Sequence, residues 1–305
     1  MHFTHNNHLT YTIGGKLFGE RTTAVEPYKI QVGTIDHERY KNSSYQAELK
    51  RTATLVQNDL GKDLAVFFSG GTDSEIVIRN FLDIGVVPNC YTIKFKDDYN
   101  LSDVIEAMNL AKELNIPLNI IEFDVKDFLY SGEAAEFGNK IQCTQVAYLI
   151  VYRCILQLGL PAVMGGEALL KRDISTDPSS WYYCIRENED ASAMRFSNKF
   201  QIPLVNEWFS YTPELLLYYL EDEEIIKLVT TRLNYKLTSV SSKNTILQRL
   251  CPEIRDRRKT HGFEKLIGFN FEAYRQLTSN QITRLEPSLD GIEYHAVVNQ
   301  LKGGK

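Results

Sequence analysis

Two hydrophobic spacings alternate along the middle of the chain and predict alternating helices and strands. Tyr45–Leu60 carries apolar residues at helical spacing and stops before Gly61, a usual helix end. Residues 64–68 form an unbroken apolar run bounded by turn residues, as expected for a strand buried on both faces. A helix at 73–82, a strand at 87–95, a helix at 102–114 and a strand at Leu118–Phe123 follow. This alternation predicts an α/β fold with a parallel, doubly wound sheet and right-handed crossovers.

The two ends of the chain differ from this middle part. Residues 8–13 alternate toward Gly14-Gly15 and predict a β-hairpin, whereas residues 213–228 form a long helical run and residues 245–250 begin another helix. We therefore expect a β-rich segment at 1–44, an α/β domain at 45–200 and a mostly helical region at 201–305 that completes the active site. The apolar stretch 146–164 is interrupted by Arg153 and Pro161, so it predicts a buried helix and a strand, not a membrane span.

Composition and charge then narrow the class of protein. With 305 residues, 43% hydrophobic and 24% charged, the chain has the composition of a soluble globular protein. Its formal net charge of -5 gives no global basic field, so a membrane partner is not expected and nucleic acid is disfavoured, although a local basic patch stays open. Five cysteines without a CxxC pair indicate neither a disulfide framework nor a thiolate zinc site, and the N-terminus lacks a signal-peptide pattern. The expected location is cytoplasmic.

The turn between the first central strand and its helix carries the candidate chemistry. Glycines there allow positive φ and a close ligand, and the helix directs its N–H groups and positive dipole end at the turn. A carboxylate in the first helical turn would repel a phosphate unless Mg²⁺ lay between them, so the pattern predicts Mg²⁺ with a phosphate. The motif has no Walker lysine and is not GxGxxG; the alternative is a plain strand-to-helix turn. The residues are Ser69, Gly70, Gly71, Thr72, Asp73 and Ser74.

This turn resembles the SGGxDS pyrophosphate loop of the N-type ATP pyrophosphatases (PP-loop superfamily). From about residue 45 to residue 265 the chain is most similar to the synthetase domain of the asparagine synthetase family. The resemblance implies an adenine nucleotide alpha hydrolase-like fold, ATP and Mg²⁺ as cofactors, Ser69 to Ser74 on pyrophosphate and Asp73 on Mg²⁺. Phe95 ends a strand that resembles the family's adenosine-binding strand. Asp103, Ala107 and Ala111 resemble its "E...A...A" helix, with aspartate in place of the commoner glutamate.

Two later segments also resemble this family and imply catalytic residues. Residues 162–167 look like the family's strand with a Gly-Glu pair, which implies that Glu167 orients or deprotonates the nucleophile. Residues 251–263 are similar to its C-terminal "lP..i..R.K.GF" segment, which implies that Lys259 contacts the α phosphate in the transition state. The alternatives are that Glu167 only caps the next helix and that Lys259 is an ordinary solvent-exposed lysine.

Several departures from the family pattern affect the expected chemistry. Leu170 occupies the place of the aspartate that binds a second magnesium; Asp173 could replace it, or could be a solvated loop residue. One extra residue between Lys259 and Gly262 leaves the register there open. No cysteine precedes Cys90, so no glutaminase domain is expected. Ammonia, another amine or a separate amidotransferase subunit would then serve as nitrogen donor.

The predicted function is an AMP-forming ligase. A loop that holds the β and γ phosphates as one unit makes pyrophosphate the leaving group, so a small-molecule acid or carbonyl is adenylated and passed to an amine or ammonia. One alternative is a PP-loop enzyme that modifies a nucleobase or RNA; another is a nucleotide-binding protein that has lost catalysis, suggested by Leu170. The RNA alternative would use a basic stripe comprising Arg249, Arg255, Arg257, Arg258 and Lys259.

Two aromatic or histidine-rich segments carry weaker signals. His2, His5 and His8 fit a flexible terminus better than a metal site. The stretch 181–183, Trp-Tyr-Tyr, fits either a ring that stacks on substrate or core packing.

Overall fold

The computed structural model describes residues 8–23, 26–166, 169–172, 181–185, 187, 190–230, 247, 249–254 and 291–304. Within these ranges the strands form three sheets. The strands, numbered in chain order, are β1 (Leu9–Ile13), β2 (Lys16–Leu17), β3 (Tyr28–Val32), β4 (Ala65–Phe67), β5 (Asn89–Phe95), β6 (Leu118–Phe123), β7 (Ala162–Val163), β8 (Leu169–Arg172), β9 (Trp181–Cys184), β10 (Leu204–Val205) and β11 (Gly291–Glu293).

The helices begin and end at local sequence signals. The helix at Tyr45–Leu60 follows Ser44, whose hydroxyl accepts from the Ala47 N–H at 3.2 Å, and it ends at Gly61 with a φ of 83°. The predicted bounds of this helix are therefore confirmed. The helices, numbered in chain order, are α1 (His37–Asn42), α2 (Tyr45–Leu60), α3 (Thr72–Asp83), α4 (Leu101–Glu113), α5 (Val125–Tyr130), α6 (Glu133–Ile141), α7 (Val146–Leu158), α8 (Asp190–Phe200), α9 (Pro213–Leu220), α10 (Glu223–Thr230) and α11 (Tyr294–Leu301).

The central sheet has five parallel strands in the order β10-β7-β4-β5-β6. The predicted parallel α/β fold is confirmed, and it is consistent with the adenine nucleotide alpha hydrolase-like fold that the resemblance implies. β10 lies at residues 204–205, so the sheet extends past the boundary expected near residue 200. The carboxyl ends of β4, β5, β7 and β10 meet at one edge, where open α/β sheets bind ligands.

Side chains of β4 explain why its sequence is apolar throughout. Val66 and Phe68 pack into a core with α2 and α3, whereas Ala65 and Phe67 pack into a second core with α6 and α7. Because successive side chains of a strand point to opposite faces, both faces of the sheet are covered by helices.

The segments on either side of the central sheet share one of these cores. Tyr11 of β1, Leu215 of α9 and Leu301 of α11 belong to the same buried cluster as Val66. The predicted hairpin at the N-terminus is confirmed, since β1 pairs antiparallel with β2 across Gly14-Gly15. His8, expected in a flexible terminus, instead bonds through Nε2 to the Ser210 carbonyl at 2.6 Å, and burial lowers its pKa to about 4.

The helical region differs from its prediction at one place. Residues 213–228 were expected to form one long helix, but the structure divides them into α9 and α10. Glu221 ends α9, and the Asp222 carboxylate accepts from the Glu224 N–H at 3.0 Å. A carboxylate at this position satisfies an N-terminal donor of a new helix, which explains the break.

A third sheet was not expected from the sequence. β8, β9 and β11 form it in the antiparallel order β11-β9-β8. Leu170, the position of the family's second metal-binding aspartate, lies in β8 opposite Tyr183. Tyr183 is buried in the core, which favours core packing for this part of the Trp-Tyr-Tyr stretch.

No single helix among the described residues is long and apolar enough to cross a membrane. Together, α6 and α7 have the length and apolar composition of a membrane-spanning segment, but the two helices are bent by 88° where they meet.

Candidate functional site

The loop after β4 is held in shape by Ser74. Its hydroxyl accepts from the Ser69 N–H at 3.4 Å and donates to the Gly71 carbonyl at 3.0 Å. α3 begins directly after Gly71, which caps the helix without any side-chain hydrogen bond. The helix therefore presents its N-terminal N–H groups and the positive end of its dipole at a closed loop, the arrangement that binds anions.

Two glycines allow the elements around this loop to approach closely. Gly70 has a φ of +72°, and a Cβ there would lie 2.9 Å from the Ala107 nitrogen of α4. A Cβ at Gly165, just after β7, would lie 2.8 Å from the Asp73 Cβ. Such contacts are closer than side chains tolerate, so these positions require glycine. The loop is packed between α4 and the end of β7.

A cavity of about 310 Å³ opens beside the loop, within the size range of small-molecule sites. Its lining combines hydroxyl and carboxylate groups with apolar and aromatic side chains, a mixture that suits a phosphate and a ring. Of the sequence-predicted residues, Ser69, Asp73, Ser74 and Phe95 line it together, and Gly70, Gly71 and Thr72 belong to the same loop. The lining is Phe67, Phe68, Ser69, Asp73, Ser74, Tyr91, Thr92, Ile93, Phe95, Asn100, Asp103, Ala147, Tyr148, Ile150, Val151, Met164, Gly165 and Gly166.

The charges in the wall favour a bridging cation. Asp73 and Asp103 both line the cavity, and its described lining contains no lysine or arginine. No group of three or more potential metal ligands occurs in the described ranges. Mg²⁺, however, is usually bound by one or two carboxylates together with substrate phosphates and water. The donor set therefore fits Mg²⁺ that arrives with a phosphate ligand, and it does not fit an all-protein metal cage.

Asn100 is a cavity residue that the sequence did not suggest. Its Oδ1 accepts from the Phe95 N–H, and its Nδ2 donates to the Ile93 carbonyl, both at 2.8 Å. It precedes α4, but its side chain makes no capping hydrogen bond to that helix. An asparagine before a helix usually caps that helix through its side chain. The sequence therefore indicated a helix cap and gave no sign of the contacts with β5.

Glu207 is a second residue that the sequence missed. It follows β10, and a Cβ at the cavity-lining Gly166 would lie 3.2 Å from the Glu207 Cα. Burial raises the pKa of the Glu207 carboxyl to about 7, although the Asn206 N–H donates to its Oε2 at 3.1 Å and opposes the shift; Asp190 adds to the increase. The sheet edge thus holds an ionisable group that titrates near neutral pH.

The described residues 249–254 of the C-terminal region pack against α2. The Gln46 side chain donates to the Leu250 carbonyl at 2.6 Å, and Cys251 and Ile254 are buried in the core that contains Tyr45. Burial raises the pKa of Tyr45 well above its ordinary value, and the Cys251 thiol and the Asp73 carboxylate, both within electrostatic range, raise it further. The chain just before the Lys259 segment therefore packs against α2.

Other predicted residues lie elsewhere. Arg249 of the proposed basic stripe forms ion pairs with Asp222 and Glu223. The rest of that stripe, the two predicted catalytic residues and the possible substitute metal ligand lie outside the described residues: Arg255, Arg257, Arg258, Lys259, Glu167 and Asp173.

Comparison with known proteins adds little to this geometry. The chain matches no family model and no curated protein. One similar solved structure is a predicted subunit of tRNA methyltransferase from Methanocaldococcus jannaschii, with 16% identity, a TM-score of 0.32, and coverage of 61% of this chain and 87% of that chain. Another is NMN synthetase from Francisella tularensis, with 12% identity, a TM-score of 0.30, and coverage of 73% and 98% respectively. Likenesses this distant carry no argument about activity, which must come from the loop and the cavity.

Proposed function

We propose that this protein is an ATP-dependent, AMP-forming ligase of the asparagine synthetase type. The observation that carries the proposal is the loop Ser69 to Ser74, which has no lysine, joins a buried strand to a helix without a side-chain cap, and lines a cavity together with apolar and aromatic side chains. A site of this form suits a nucleotide whose terminal phosphates lie at the helix N-terminus and whose base packs against the apolar part of the wall.

The chain's own residues would act mainly by position and charge. The N–H groups at the start of α3 and the Ser69 hydroxyl would hold the β and γ phosphates as one unit, while Ser74 keeps the loop closed. Asp73 would hold Mg²⁺, which when bound neutralises phosphate charge. Pyrophosphate then leaves as the substrate's carboxylate oxygen attacks the α phosphorus.

The second half of the reaction would join the adenylated acid to an amine or ammonia. Glu167 is proposed to orient or deprotonate that nucleophile, and Gly166, the residue before it, lines the cavity. Lys259 is proposed to contact the α phosphate in the transition state. Nitrogen would come from ammonia, a small amine or a separate amidotransferase subunit.

Product analysis tests this function directly. The purified protein is incubated with MgATP, a mixture of amino acids and other small carboxylic acids, and ammonium, and the nucleotides and phosphates are separated. We expect AMP and pyrophosphate in equal amounts, dependent on one acid of the mixture. ADP and phosphate as stoichiometric products would contradict the proposal, because the bond broken would then be the one to the γ phosphorus. Omission of the acids is the control and should reduce AMP release to background.

A further inference from the structure

A groove of about 670 Å³ lies apart from the cavity beside the loop after β4, and no described residue lines both. Its described lining consists of all five residues of β3, with Ile292 and Glu293 of β11 and Gln300 of α11. β3 is the last strand of the sheet β2-β1-β3, and β11 is the first strand of the sheet β11-β9-β8. The groove, called here the edge groove, is therefore bounded by the edge strands of two different sheets.

The pairing of β1 with β3 decides which main-chain groups of β3 face the edge. Opposite residues of an antiparallel pair alternate between those that exchange hydrogen bonds and those that do not. The Gly33 N–H donates to the His8 carbonyl at 2.8 Å, so in this register positions 29, 31 and 33 bond to β1. Ile30 and Val32 therefore direct their N–H and C=O groups away from β1, toward the open side of the sheet.

These outward groups form a short, unpaired row. Within the described residues, no strand other than β1 pairs with β3, and no main-chain hydrogen bond reaches the outward groups of Ile30 and Val32. Each of the two residues has one N–H donor and one carbonyl acceptor, spaced as in a β-ladder. A row of this kind is complementary to another extended main chain, which indicates a β-strand as the ligand of this edge.

The two faces of β3 indicate which side chains such a strand would need. Ile30 and Val32 are partly buried against the core, whereas Lys29 is exposed on the opposite face. Lys29 is the only basic residue in the described lining, and it makes no ion pair with a described residue; the Glu293 side chain already caps α11. A strand beside β3 would thus place apolar side chains next to Ile30 and Val32 and an acidic one opposite Lys29.

A second copy of β3 does not meet this requirement. Antiparallel pairing of β3 with itself about Ile30 would place Gln31 opposite Lys29, and the strand has no carboxylate to offer. A segment of another protein that alternates apolar and acidic residues is therefore the better match.

We propose that the edge of β3 binds an extended acidic segment of a partner protein by β-strand addition, with main-chain pairing to Ile30 and Val32 and an ion pair to Lys29. This inference is independent of the proposed function, because the edge groove and the cavity beside the loop share no described residue.

The test uses two fluorescein-labelled peptides of about seven residues, one alternating valine and glutamate and the other alternating valine and lysine, with binding measured by fluorescence anisotropy at low salt. We expect saturable binding of the glutamate peptide and at least about fivefold weaker binding of the lysine peptide. Because the chain has a formal net charge of -5, non-specific attraction would favour the lysine peptide instead. Lys29→Glu should reverse the preference, whereas Lys62→Glu, an equal change of charge at another exposed lysine, should leave it unchanged.

Main-chain pairing is tested by N-methylation of the glutamate peptide, either at its valines or at its glutamates. Successive N–H groups of a strand point to opposite edges, so one of these two sets faces β3. One of the methylated peptides should therefore lose binding. Equal, undiminished binding of both would indicate attraction to Lys29 without strand addition and would contradict the inference.

Two further results would overturn it. Failure of the glutamate peptide to bind, or the same peptide preference in Lys29→Glu as in the unaltered protein, would show that the edge groove does not recognise an acidic strand. Sedimentation velocity that shows a dimer from which the glutamate peptide is excluded would show that a second copy fills the groove.

Discussion

The turns that follow β4 and β5 lie side by side at the same sheet edge, yet they are built in opposite ways. The turn after β5 has two residues with positive φ, Asp97 at 60° and Asp98 at 57°. Lysines neutralise its aspartates: Lys94 pairs with Asp98 at 2.9 Å and Lys126 with Asp97 at 3.1 Å. Its charges are therefore balanced by its own neighbours.

The turn after β4 has glycines and hydroxyl groups where its neighbour has ion pairs. Gly70 adopts a positive φ, and the helix that follows has no side-chain cap. Asp73 and Asp103 contribute carboxylates to a cavity wall whose described part has no basic side chain. The comparison teaches that the aspartates of one turn are neutralised by neighbouring lysines, whereas the other turn places Asp73 in a cavity wall whose described part has no basic side chain.

Gly70→Ala, which breaks the first turn, is expected to impair folding and ligand binding together. The positive φ costs an alanine about 1–2 kcal/mol and the overlap with α4 adds a similar amount, so we expect a loss of about 3 kcal/mol in the free energy of unfolding. ATP affinity should fall at least about a hundredfold because the loop is displaced. Urea unfolding and calorimetry measure the two quantities.

Gly85→Ala is the control for Gly70→Ala. Gly85 has a similar φ, +76°, but a Cβ there would meet nothing within 4 Å. Its cost should be the backbone cost alone, about 1 kcal/mol, with unchanged ATP affinity. Equal behaviour of the two variants would contradict the packed-loop interpretation.

Asp73→Asn compares the aspartates of the two turns. The side chains are nearly isosteric, so the fold should persist, but the loss of charge should reduce turnover by about a thousandfold or more. Asp98→Asn, in the neighbouring turn, removes only a surface ion pair and should change turnover by less than about twofold. Near-normal turnover of Asp73→Asn at ordinary Mg²⁺ concentrations would rule out its metal role.

Lys259→Ala tests where a cation for the α phosphate comes from. Lys94, Lys96 and Lys126 beside the second turn are each paired with an aspartate, and the proposed function assigns the cation for the α phosphate to Lys259. We expect kcat to fall about a hundredfold with little change in ATP affinity. Lys259→Arg should also fail, because a planar guanidinium replaces a compact ammonium poorly. An unchanged kcat in Lys259→Ala would transfer the role to Arg257 or Arg258.

Glu207→Gln extends the comparison to β10 and is expected to stabilise the protein. The pKa of this carboxyl rises from 4.5 in the unfolded chain to about 7 in the folded protein. The free energy of unfolding therefore falls as pH increases through this range. The variant should therefore be more stable than the parent by about 3 kcal/mol at pH 8 and by less than about 1 kcal/mol at pH 5. Urea unfolding at both pH values measures this, and Glu122→Gln, on an exposed residue, should show no such difference. A pH-independent effect would contradict the raised pKa.

The sequence predicted those features that depend on neighbouring residues. The glycine that ends α2, the apolar run of β4 and the glycines of the first turn each have a local physical cause, and the structure has them where expected. The break at Asp222 was missed because a carboxylate inside an apolar helical pattern can cap a new helix or face solvent, and the pattern does not distinguish these.

The features that the sequence could not predict depend on distant contacts. The pKa of Glu207 follows from its burial next to the end of β7. The sheet of β8, β9 and β11 joins segments more than a hundred residues apart. No local spacing carries such information.

Binding of inorganic pyrophosphate tests the central claim most directly, because it isolates the first turn from the base and from the unknown acid. Calorimetry should detect pyrophosphate binding that requires Mg²⁺, and saturating pyrophosphate should prevent ATP from binding. ATP that binds equally well in the presence of saturating Mg²⁺-pyrophosphate would contradict the claim that the loop Ser69 to Ser74 holds the terminal phosphates.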